Sequence, residues 1–185
     1  MGIIQDSLDK AAEHTTTRPI PKSGPAQMRF LVKTEKGSTK AVAELLGISQ
    51  RTVERYVKAQ IKRPRKDLAA RIEREVRKRW QPRVRERAKK RAATTDGIVI
   101  ETRARFGFTA APGSTDDGRI RLITQALPPA YAARLFDAQA AGAAEQELQN
   151  IAAEGLQEIY FKDRGRRADG LLVEFTDIDY VELDY

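Results

Sequence analysis

The feature that most constrains the fold is residues 39–61, TKAVAELLGISQRTVERYVKAQI, which have the spacing of a helix-turn-helix. Ala43 is small enough for two helices to cross closely, and Gly47 can take the positive φ of a tight turn. Ser49 is placed to cap the second helix by accepting from its first free N–H groups. The spacing therefore predicts two short helices joined by a tight turn. Their predicted inward residues are Val42, Leu46, Ile48, Val53 and Tyr56.

The second of these helices, about residues 50–60, is predicted to present polar and mostly basic side chains to solvent. Such side chains can donate to guanine, adenine or phosphate in a DNA major groove. An ordinary helical hairpin of a bundle is the alternative, but it requires neither a glycine at that offset nor a basic outer face. The residues of this helix predicted to contact DNA are Gln50, Arg51, Thr52, Arg55 and Lys58.

Charge is unevenly distributed along the 185-residue chain, whose net charge is +8. Residues 51–91 carry 18 Lys and Arg against 5 Asp and Glu, whereas residues 92–185 carry 9 against 16. We therefore expect the middle of the chain to bind a polyanion and the acidic end to do something else. The basic residues after the helix-turn-helix that are predicted to contact DNA are Lys62, Arg63, Arg65, Lys66, Arg74, Arg77 and Lys78.

Composition disfavours several functional classes. The chain contains no Cys, so it can form neither disulfides nor thiolate metal sites. His14 is the only histidine, and a solvated position explains it more simply than a metal site. No apolar run approaches the length of a membrane span, and no signal peptide opens the chain. We therefore expect a soluble cytoplasmic protein.

Two predicted helices precede the helix-turn-helix. Residues 2–13 are amphipathic, and residues 26–36 are predicted to form the first helix of the DNA-binding unit. Between them, residues 15–25 hold three prolines and a threonine run, which favours a tether or a flexible arm that lies along DNA. The predicted inward residues are Ile3, Ile4, Leu8, Ala11 and Ala12 in the first helix and Met28, Leu31 and Val32 in the second.

Two strongly basic segments follow the helix-turn-helix. Pro64 interrupts the helical pattern, and residues 65–80 resume it with a narrow apolar stripe. Residues 83–93, RVRERAKKRAA, have little beyond Val84 and Ala88 to bury. For that segment we expect either a helix that is stable only against a phosphate backbone or a charged connector.

After the basic block the pattern changes to a period of two. Residues 97–110 alternate, which indicates a half-buried strand. Residues 111–118, APGSTDDG, are rich in turn formers, and residues 119–124 alternate again, with Ile120 and Leu122 predicted to face inward. This order predicts a β-hairpin with residues 111–118 at its tip. The predicted inward residues of the first strand are Ile98, Ile100, Ala104, Phe106 and Phe108.

Two helices, at about residues 129–141 and 144–161, and a final extended run complete the predicted fold. We predict an α+β protein with an all-helical, helix-turn-helix N-terminal half and a C-terminal β-hairpin or sheet plus two helices. The predicted domains are an N-terminal helix and arm, a helix-turn-helix with basic helices, and an α+β domain. Their predicted boundaries are 1–25, 26–93 and 94–185.

Known enzyme motifs are not found in the sequence. There is no Gly-rich phosphate loop, nucleophile elbow or His/Cys cluster, which argues against an enzyme and against a metal or cofactor of its own. Asp116 and Asp117 are most simply explained as solvated turn residues. Ser114 and Thr115 are, by themselves, ordinary turn formers.

Four long stretches resemble one known family. They are the opening MGIIQDSLDKAAEHTTTRPIPKSGPAQMRFLVK, the motif GISQRTVERYVK, the segment GIVIETRARFGF and the ending DGLLVEFTDIDYVELDY. With these stretches the chain resembles, over essentially its whole length, the terminal proteins of linear Streptomyces chromosomes and plasmids. Proteins of that family are covalently attached to 5′ DNA ends and prime the synthesis that patches the recessed telomere end.

The resemblance implies a protein primer and telomere cap located in the bacterial nucleoid, at chromosome or plasmid ends. The implied partners are telomeric DNA (the 3′ single-stranded overhang and the adjoining duplex), a telomere-associated protein and a DNA polymerase. The polymerase would hold the dNTP and the Mg²⁺ ions during priming. Because the family's priming hydroxyl is a threonine in the loop that matches residues 111–118, Thr115 is the implied acceptor, with Ser114 as its neighbouring alternative.

Two other functions are compatible with parts of the sequence. A helix-turn-helix transcription regulator with a C-terminal dimerisation or effector domain would carry the same motif, but no hydroxyl that accepts a nucleotide. A nucleoid-packing protein would explain the basic block, but it leaves the acidic α+β half unexplained.

Overall fold

A computed structural model of the chain describes residues 2–109, 119–166 and 171–185. The predicted α+β class is confirmed, because helices are combined with an antiparallel three-stranded sheet. The helices are α1 (Ile3–His14), α2 (Gly24–Thr34), α3 (Thr39–Leu46), α4 (Gln50–Val57), α5 (Lys66–Arg79), α6 (Pro82–Arg91), α7 (Pro129–Ala141) and α8 (Glu145–Leu156). Short π-helical turns, Ala92–Asp96 and Gln157–Phe161, follow α6 and α8. The strands are β1 (Ile98–Thr109), β2 (Arg119–Leu127) and β3 (Leu172–Asp184).

The chain divides into two compact units. The helical unit is Thr17–Pro82, and the sheet unit combines Met1–Thr16 with Arg83–Tyr185. This division differs from the predicted boundaries at residues 25 and 93, because α1 and α6 both belong to the sheet unit. The sequence pattern predicted α1 and left α6 open as a helix or a connector, and it contained no information about which core they join.

The helical unit has its own apolar core, which contains the predicted inward face of the helix-turn-helix. The segment between α1 and α2 was expected to be a flexible arm, but side chains after α5 hold its beginning. The backbone N–H of Thr17 donates to Gln81 Oε1 over 3.0 Å, and the Trp80 indole donates to the carbonyl of Arg18, also over 3.0 Å. The buried core residues are Met28, Leu31, Val42, Ala43, Leu46, Val53, Tyr56, Ile72 and Val76.

In the sheet unit the strands are ordered β2-β1-β3. The inward face of β1 is as predicted, because every second side chain from Ile98 to Phe106 is buried. The side chain of Phe108 is not among those that the structure describes. Gly97 immediately precedes the strand with φ 77°, and a Cβ there would lie 2.1 Å from the carbonyl oxygen of Leu127. A side chain at position 97 is therefore incompatible with the pairing of β1 and β2.

The predicted orientation of β2 is wrong. Ile120 and Leu122 are 50% and 67% exposed, whereas Ile123 and Leu127 are 2% and 1% exposed. Residues directly opposite each other in an antiparallel pair share a face, and Leu122 lies opposite Arg103 on the outer face of β1. A shift of one residue moves every side chain to the other face, so the pairing with β1 decides which side of β2 is buried.

α1 was predicted correctly as an amphipathic helix, but it is part of the sheet unit's core. Ile4 and Leu8 are fully buried, and Ser7 Oγ accepts from the backbone N–H of Leu183 in β3 over 2.8 Å. Ile3 was also expected to face inward and is instead 38% exposed. Adjacent helical residues are separated by about 100° around the axis, so Ile3 and Ile4 cannot both point fully into one core.

α6 belongs to the sheet unit, although none of its residues is buried. The Lys89 ammonium donates to Gln139 Oε1 over 2.8 Å and lies 5.1 Å from the centre of the Phe136 ring on α7. Ala92, which follows the helix, is buried. The lysine stem thus covers part of an apolar surface while its charge finds partners in the chain. That phosphate stabilises this helix stays a prediction.

Candidate nucleic-acid interface

The turn between α3 and α4 has the predicted geometry. Gly47 ends α3 with φ 62°, in the left-handed region, and the N–H of Ile48 donates to the carbonyl of Ala43 over 3.0 Å. Ser49 Oγ accepts from the N–H of Thr52 over 3.2 Å and so caps the start of α4. These contacts fix the direction in which α4 leaves the turn.

Two arginines outside the motif hold its helix ends, and the sequence pattern did not reveal either of them. Arg71 Nη1 donates to the carbonyl of Leu46 at the end of α3 over 2.7 Å, and Arg29 Nη1 donates to that of Val57 at the end of α4 over 3.3 Å. A guanidinium at a helix C-terminus satisfies free carbonyls and complements the helix dipole. The partners are 25 and 28 residues apart in sequence, so no local spacing signals the contacts.

The outer face of α4 is exposed and basic. Arg51, Arg55 and Lys58 are exposed, and they make no hydrogen bond or ion pair with any described residue. Gln50 is also exposed, but its amide donates to Thr39 Oγ1 over 2.9 Å and to Glu54 Oε1 over 3.2 Å. The structure thus leaves the three cations of this face free for a ligand.

Thr52 is the one predicted contact of α4 that is only partly exposed. Its hydroxyl lies 2.8 Å from Ser49 Oγ, and its backbone N–H donates to the same oxygen. The position of Thr52 is therefore explained by capping of α4.

The basic residues that follow α4 extend this exposed surface. All seven predicted contacts between positions 62 and 78 are exposed. Arg77 is ion-paired with Glu73 over 2.7 Å, and Lys78 also interacts within the chain. The remaining five make no hydrogen bond or ion pair with the residues that the structure describes: Lys62, Arg63, Arg65, Lys66 and Arg74.

The division into units sharpens the charge asymmetry of the sequence. The helical unit holds 18 Lys and Arg against 6 Asp and Glu, a net charge of +12, and the sheet unit holds 16 against 20, a net charge of −4. An exposed excess of cations of this size produces a positive field that attracts polyanions. We define the exposed cations of α4, α5 and the residues between them as the basic surface.

The predicted priming hydroxyls, Ser114 and Thr115, lie outside the described residues, as do Asp116 and Asp117. The two strands that flank this segment are described. β1 and β2 pair from Ile98 opposite Leu127 to Phe106 opposite Arg119. The predicted hairpin strands are therefore present, with the segment that contains Ser114 and Thr115 joining them.

Several polar groups on the surface of the sheet unit are paired with one another. Arg134 Nη1 lies 2.6 Å from Glu154 Oε2, and the Tyr131 hydroxyl donates to Glu158 Oε2 over 2.5 Å. Burial, followed by this hydrogen bond, raises the pKa of Tyr131 to about 12. The hydroxyl thus stays protonated at neutral pH, where it orients Glu158. Among the described residues, no group of three or more His, Asp or Glu is arranged to hold a metal ion.

Comparisons of the chain with known protein families, with curated proteins and with solved structures find no match. Within residues 2–109, 119–166 and 171–185, no helix is both long and apolar enough to cross a membrane.

Proposed function

We propose that this protein binds DNA through the helix-turn-helix of its helical unit. The observation that carries the proposal is the outer face of α4, where Arg51, Arg55 and Lys58 are exposed and lack partners in the described chain. Their helix is fixed at its start by Ser49 and at its end by Arg29. A rigid helix with free donors on its outer face is suited to a major groove.

In this proposal the basic surface makes two kinds of contact with DNA, one with base edges and one with phosphates. Arg51 and Arg55 on α4 read base edges, because guanidinium groups donate in pairs to guanine. Arg74 on α5, and the cations between the two helices, contact phosphates, which adds affinity without sequence information.

The first test compares Arg55→Ala with Arg74→Ala. Arg55→Ala should reduce the preference for telomeric over random duplex by about tenfold, since a good base contact discriminates by about 1–3 kcal/mol. Arg74→Ala should weaken both duplexes alike and make the salt dependence shallower by about one unit. Fluorescence anisotropy over a range of salt concentrations measures both quantities. Equal losses on both duplexes from both variants would contradict this assignment of roles.

We further propose that the protein serves as the primer and cap of linear DNA ends, with Thr115 as the acceptor and Ser114 as the alternative. The support is the family resemblance together with the paired strands that flank the segment 111–118. The hydroxyl would lose its proton to solvent, and its oxygen would attack the α-phosphorus of a dNTP. A phosphoester bond would form, the α–β phosphoanhydride bond would break, and pyrophosphate would leave. The two metal ions of the partner polymerase would take up the charge of the attacking oxygen, so this chain needs no base of its own.

The second test supplies full-length protein with labelled dNTP, template, polymerase and the telomere-associated partner. Thr115→Ala should abolish covalent labelling and leave duplex binding intact, whereas Thr115→Ser should retain part of the labelling because the nucleophile survives. If Ser114→Ala abolishes labelling instead, the acceptor is Ser114. Full labelling of the double alanine variant would exclude this segment as the primer. A wild-type protein that binds DNA but never acquires a denaturant-resistant nucleotide would instead be a helix-turn-helix transcription regulator.

A further inference from the structure

The sheet unit contains a small basic cavity that lies outside the helix-turn-helix. It is formed where the end of α1 meets α6, and its volume is about 260 Å³, well above the share of about 30 Å³ that a water molecule occupies. The residues that line it are Thr15, Val84, Arg87, Ala88, Arg91 and Tyr185.

One face of α6 supplies most of the lining. Val84, Arg87, Ala88 and Arg91 recur at helical spacing and therefore share a face. The short side chains of Val84 and Ala88 leave room between the two longer arginines. This spacing places two guanidinium groups at one opening.

The two arginines differ in how they are held. Arg91 Nε pairs with Asp96 Oδ2 over 2.6 Å, which orients the guanidinium and leaves its terminal nitrogens as donors. Arg87 is exposed and makes no hydrogen bond or ion pair with the described part of the chain. The cavity thus has one positioned and one free guanidinium.

Tyr185 contributes an aromatic wall to the cavity. Its ring packs edge-on against Phe136 with the ring centres 4.9 Å apart. Its hydroxyl oxygen is closed to solvent, so it shapes the wall and is not a donor to a ligand in the cavity.

The acidic groups near the cavity already have partners. Asp96 pairs with Arg91, Asp9 accepts from Gln139 Nε2 over 3.1 Å, and Asp184 accepts from the backbone N–H of Tyr185 over 3.0 Å. The Thr15 hydroxyl donates to the carbonyl of Ala12 over 2.9 Å, so it shapes the wall rather than supplying a donor. The donors that remain at the cavity are therefore the Arg87 guanidinium and the terminal nitrogens of Arg91.

We propose that this cavity binds a phosphate group through the guanidinium groups of Arg87 and Arg91. Planar guanidinium groups match phosphate oxygens in pairs, and the ring of Tyr185 closes one wall of the site. The phosphate comes either from a nucleotide's triphosphate or from a DNA backbone. The site belongs to the sheet unit, so it does not depend on DNA binding by the helix-turn-helix.

The experiment titrates the full chain, labelled with ¹⁵N-arginine, with sodium tripolyphosphate and follows the Nε–Hε resonances by NMR. The resonances of Arg87 and Arg91 should shift together. Arg87→Gln should weaken tripolyphosphate binding about tenfold, because a hydrogen bond to a charged group contributes about 1.5–3 kcal/mol. Arg83→Gln is the matched control, since it removes the same charge from an exposed position of the same helix that does not line the cavity, and it should change affinity less than twofold.

A second variant controls for the wall of the cavity without changing charge. Tyr185→Phe keeps the ring that packs on Phe136, and it should change tripolyphosphate affinity less than twofold because the lost hydroxyl is closed to solvent. Equal weakening by Arg83→Gln and Arg87→Gln would overturn the site in favour of a diffuse positive surface.

The source of the phosphate is decided with a random duplex. If Arg87→Gln weakens tripolyphosphate alone, the site takes a nucleotide; if it also weakens the duplex and makes its salt dependence shallower, the site takes a backbone phosphate. Both results support the site. Arg55→Ala should leave the shifts that tripolyphosphate causes in the Arg87 and Arg91 resonances unchanged, so failure of the helix-turn-helix proposal and failure of this one are distinguishable.

Discussion

The two units differ in how many of their exposed cations are left unpaired. In the helical unit, the side chains of eight of the predicted DNA-contacting cations make no hydrogen bond or ion pair with described residues. In the sheet unit, three arginines are paired with carboxylates, as Arg91–Asp96, Arg103–Asp179 and Arg134–Glu154, while Arg87 at the cavity is unpaired among the described residues. The eight unpaired cations of the helical unit are Arg51, Arg55, Lys58, Lys62, Arg63, Arg65, Lys66 and Arg74.

Unpaired cations can attract a ligand such as DNA, whereas cations paired with carboxylates of the same chain are largely neutralised. Exposed ion pairs contribute only about 0–1 kcal/mol to stability, so pairing mainly removes the field of the cations. Unpaired cations keep their field and can release counterions when they bind phosphates. The contrast therefore predicts that substitution of the unpaired cations of the helical unit changes DNA binding, whereas loss of buried groups in the sheet unit changes folding.

The largest expected effect comes from cutting the chain between or within the units. A fragment of residues 17–82 should fold and bind DNA, whereas a fragment of residues 94–185 should not unfold cooperatively. The latter lacks Ile4 and Leu8 of α1, whose burial contributes about 1.5–3 kcal/mol each, a large part of a small domain's total of about 5–15 kcal/mol. Urea unfolding followed by circular dichroism measures this.

The control joins residues 1–16 through a flexible linker to residues 83–185, which restores α1 and α6 to the sheet unit. This protein should recover a cooperative transition. If residues 94–185 alone unfold as sharply as the joined control, the separation into these two units is incorrect.

The next largest effect is expected from Gly97→Ala. A Cβ 2.1 Å from a backbone oxygen, at φ 77°, forces β1 and β2 apart and should destabilise the sheet unit by about 3 kcal/mol or more. Gly142→Ala is the control, because Gly142 also has a positive φ but no atom within 4 Å of its Cβ position, and it should cost about 1–2 kcal/mol. Trp80, the only tryptophan, lies in the helical unit, so its fluorescence transition should stay unchanged in both variants. A shift of that transition by Gly97→Ala would mean that the units unfold together.

The smallest expected effect distinguishes two exposed arginines of α5. Arg71→Ala removes the donor to the carbonyl of Leu46 and should destabilise the helical unit by about 1 kcal/mol, seen as a shift in the Trp80 fluorescence transition. Arg74→Ala should leave that transition within about 0.5 kcal/mol and reduce DNA affinity. If Arg74→Ala destabilises the helical unit as much as Arg71→Ala does, unpaired cations do not mark binding residues in this protein.

Local sequence patterns were sufficient to predict many of the helices, turns and strands. The Gly47 turn and the Ser49 cap are properties of neighbouring residues, and α7 has the predicted bounds because Pro129 and Gly142 mark its ends. The buried face of β1 follows from a regular period of two. Such features are fixed by steric and hydrogen-bonding preferences within a few residues, which a sequence displays directly.

The candidate sites were predictable only in part. The exposed cations of α4 follow from helical periodicity, but nothing local indicates that Arg71 and Arg29 cap the motif's helices. The cavity beside α6 was not expected either. Tyr185 and Arg87 are far apart in sequence, and only packing brings them to the same cavity.

The sequence by itself determined the helix-turn-helix, the basic block and the strand periodicity, because each depends on residues close together in the chain. Tertiary structure alone decided that α1 and α6 belong to the sheet unit and that Ile120 and Leu122 face outward. It also decided which arginines remain unpaired. These outcomes depend on strand register and on contacts between distant residues. A one-residue change of register inverts a strand, and a partner from another helix neutralises a charge, without any change in the local pattern.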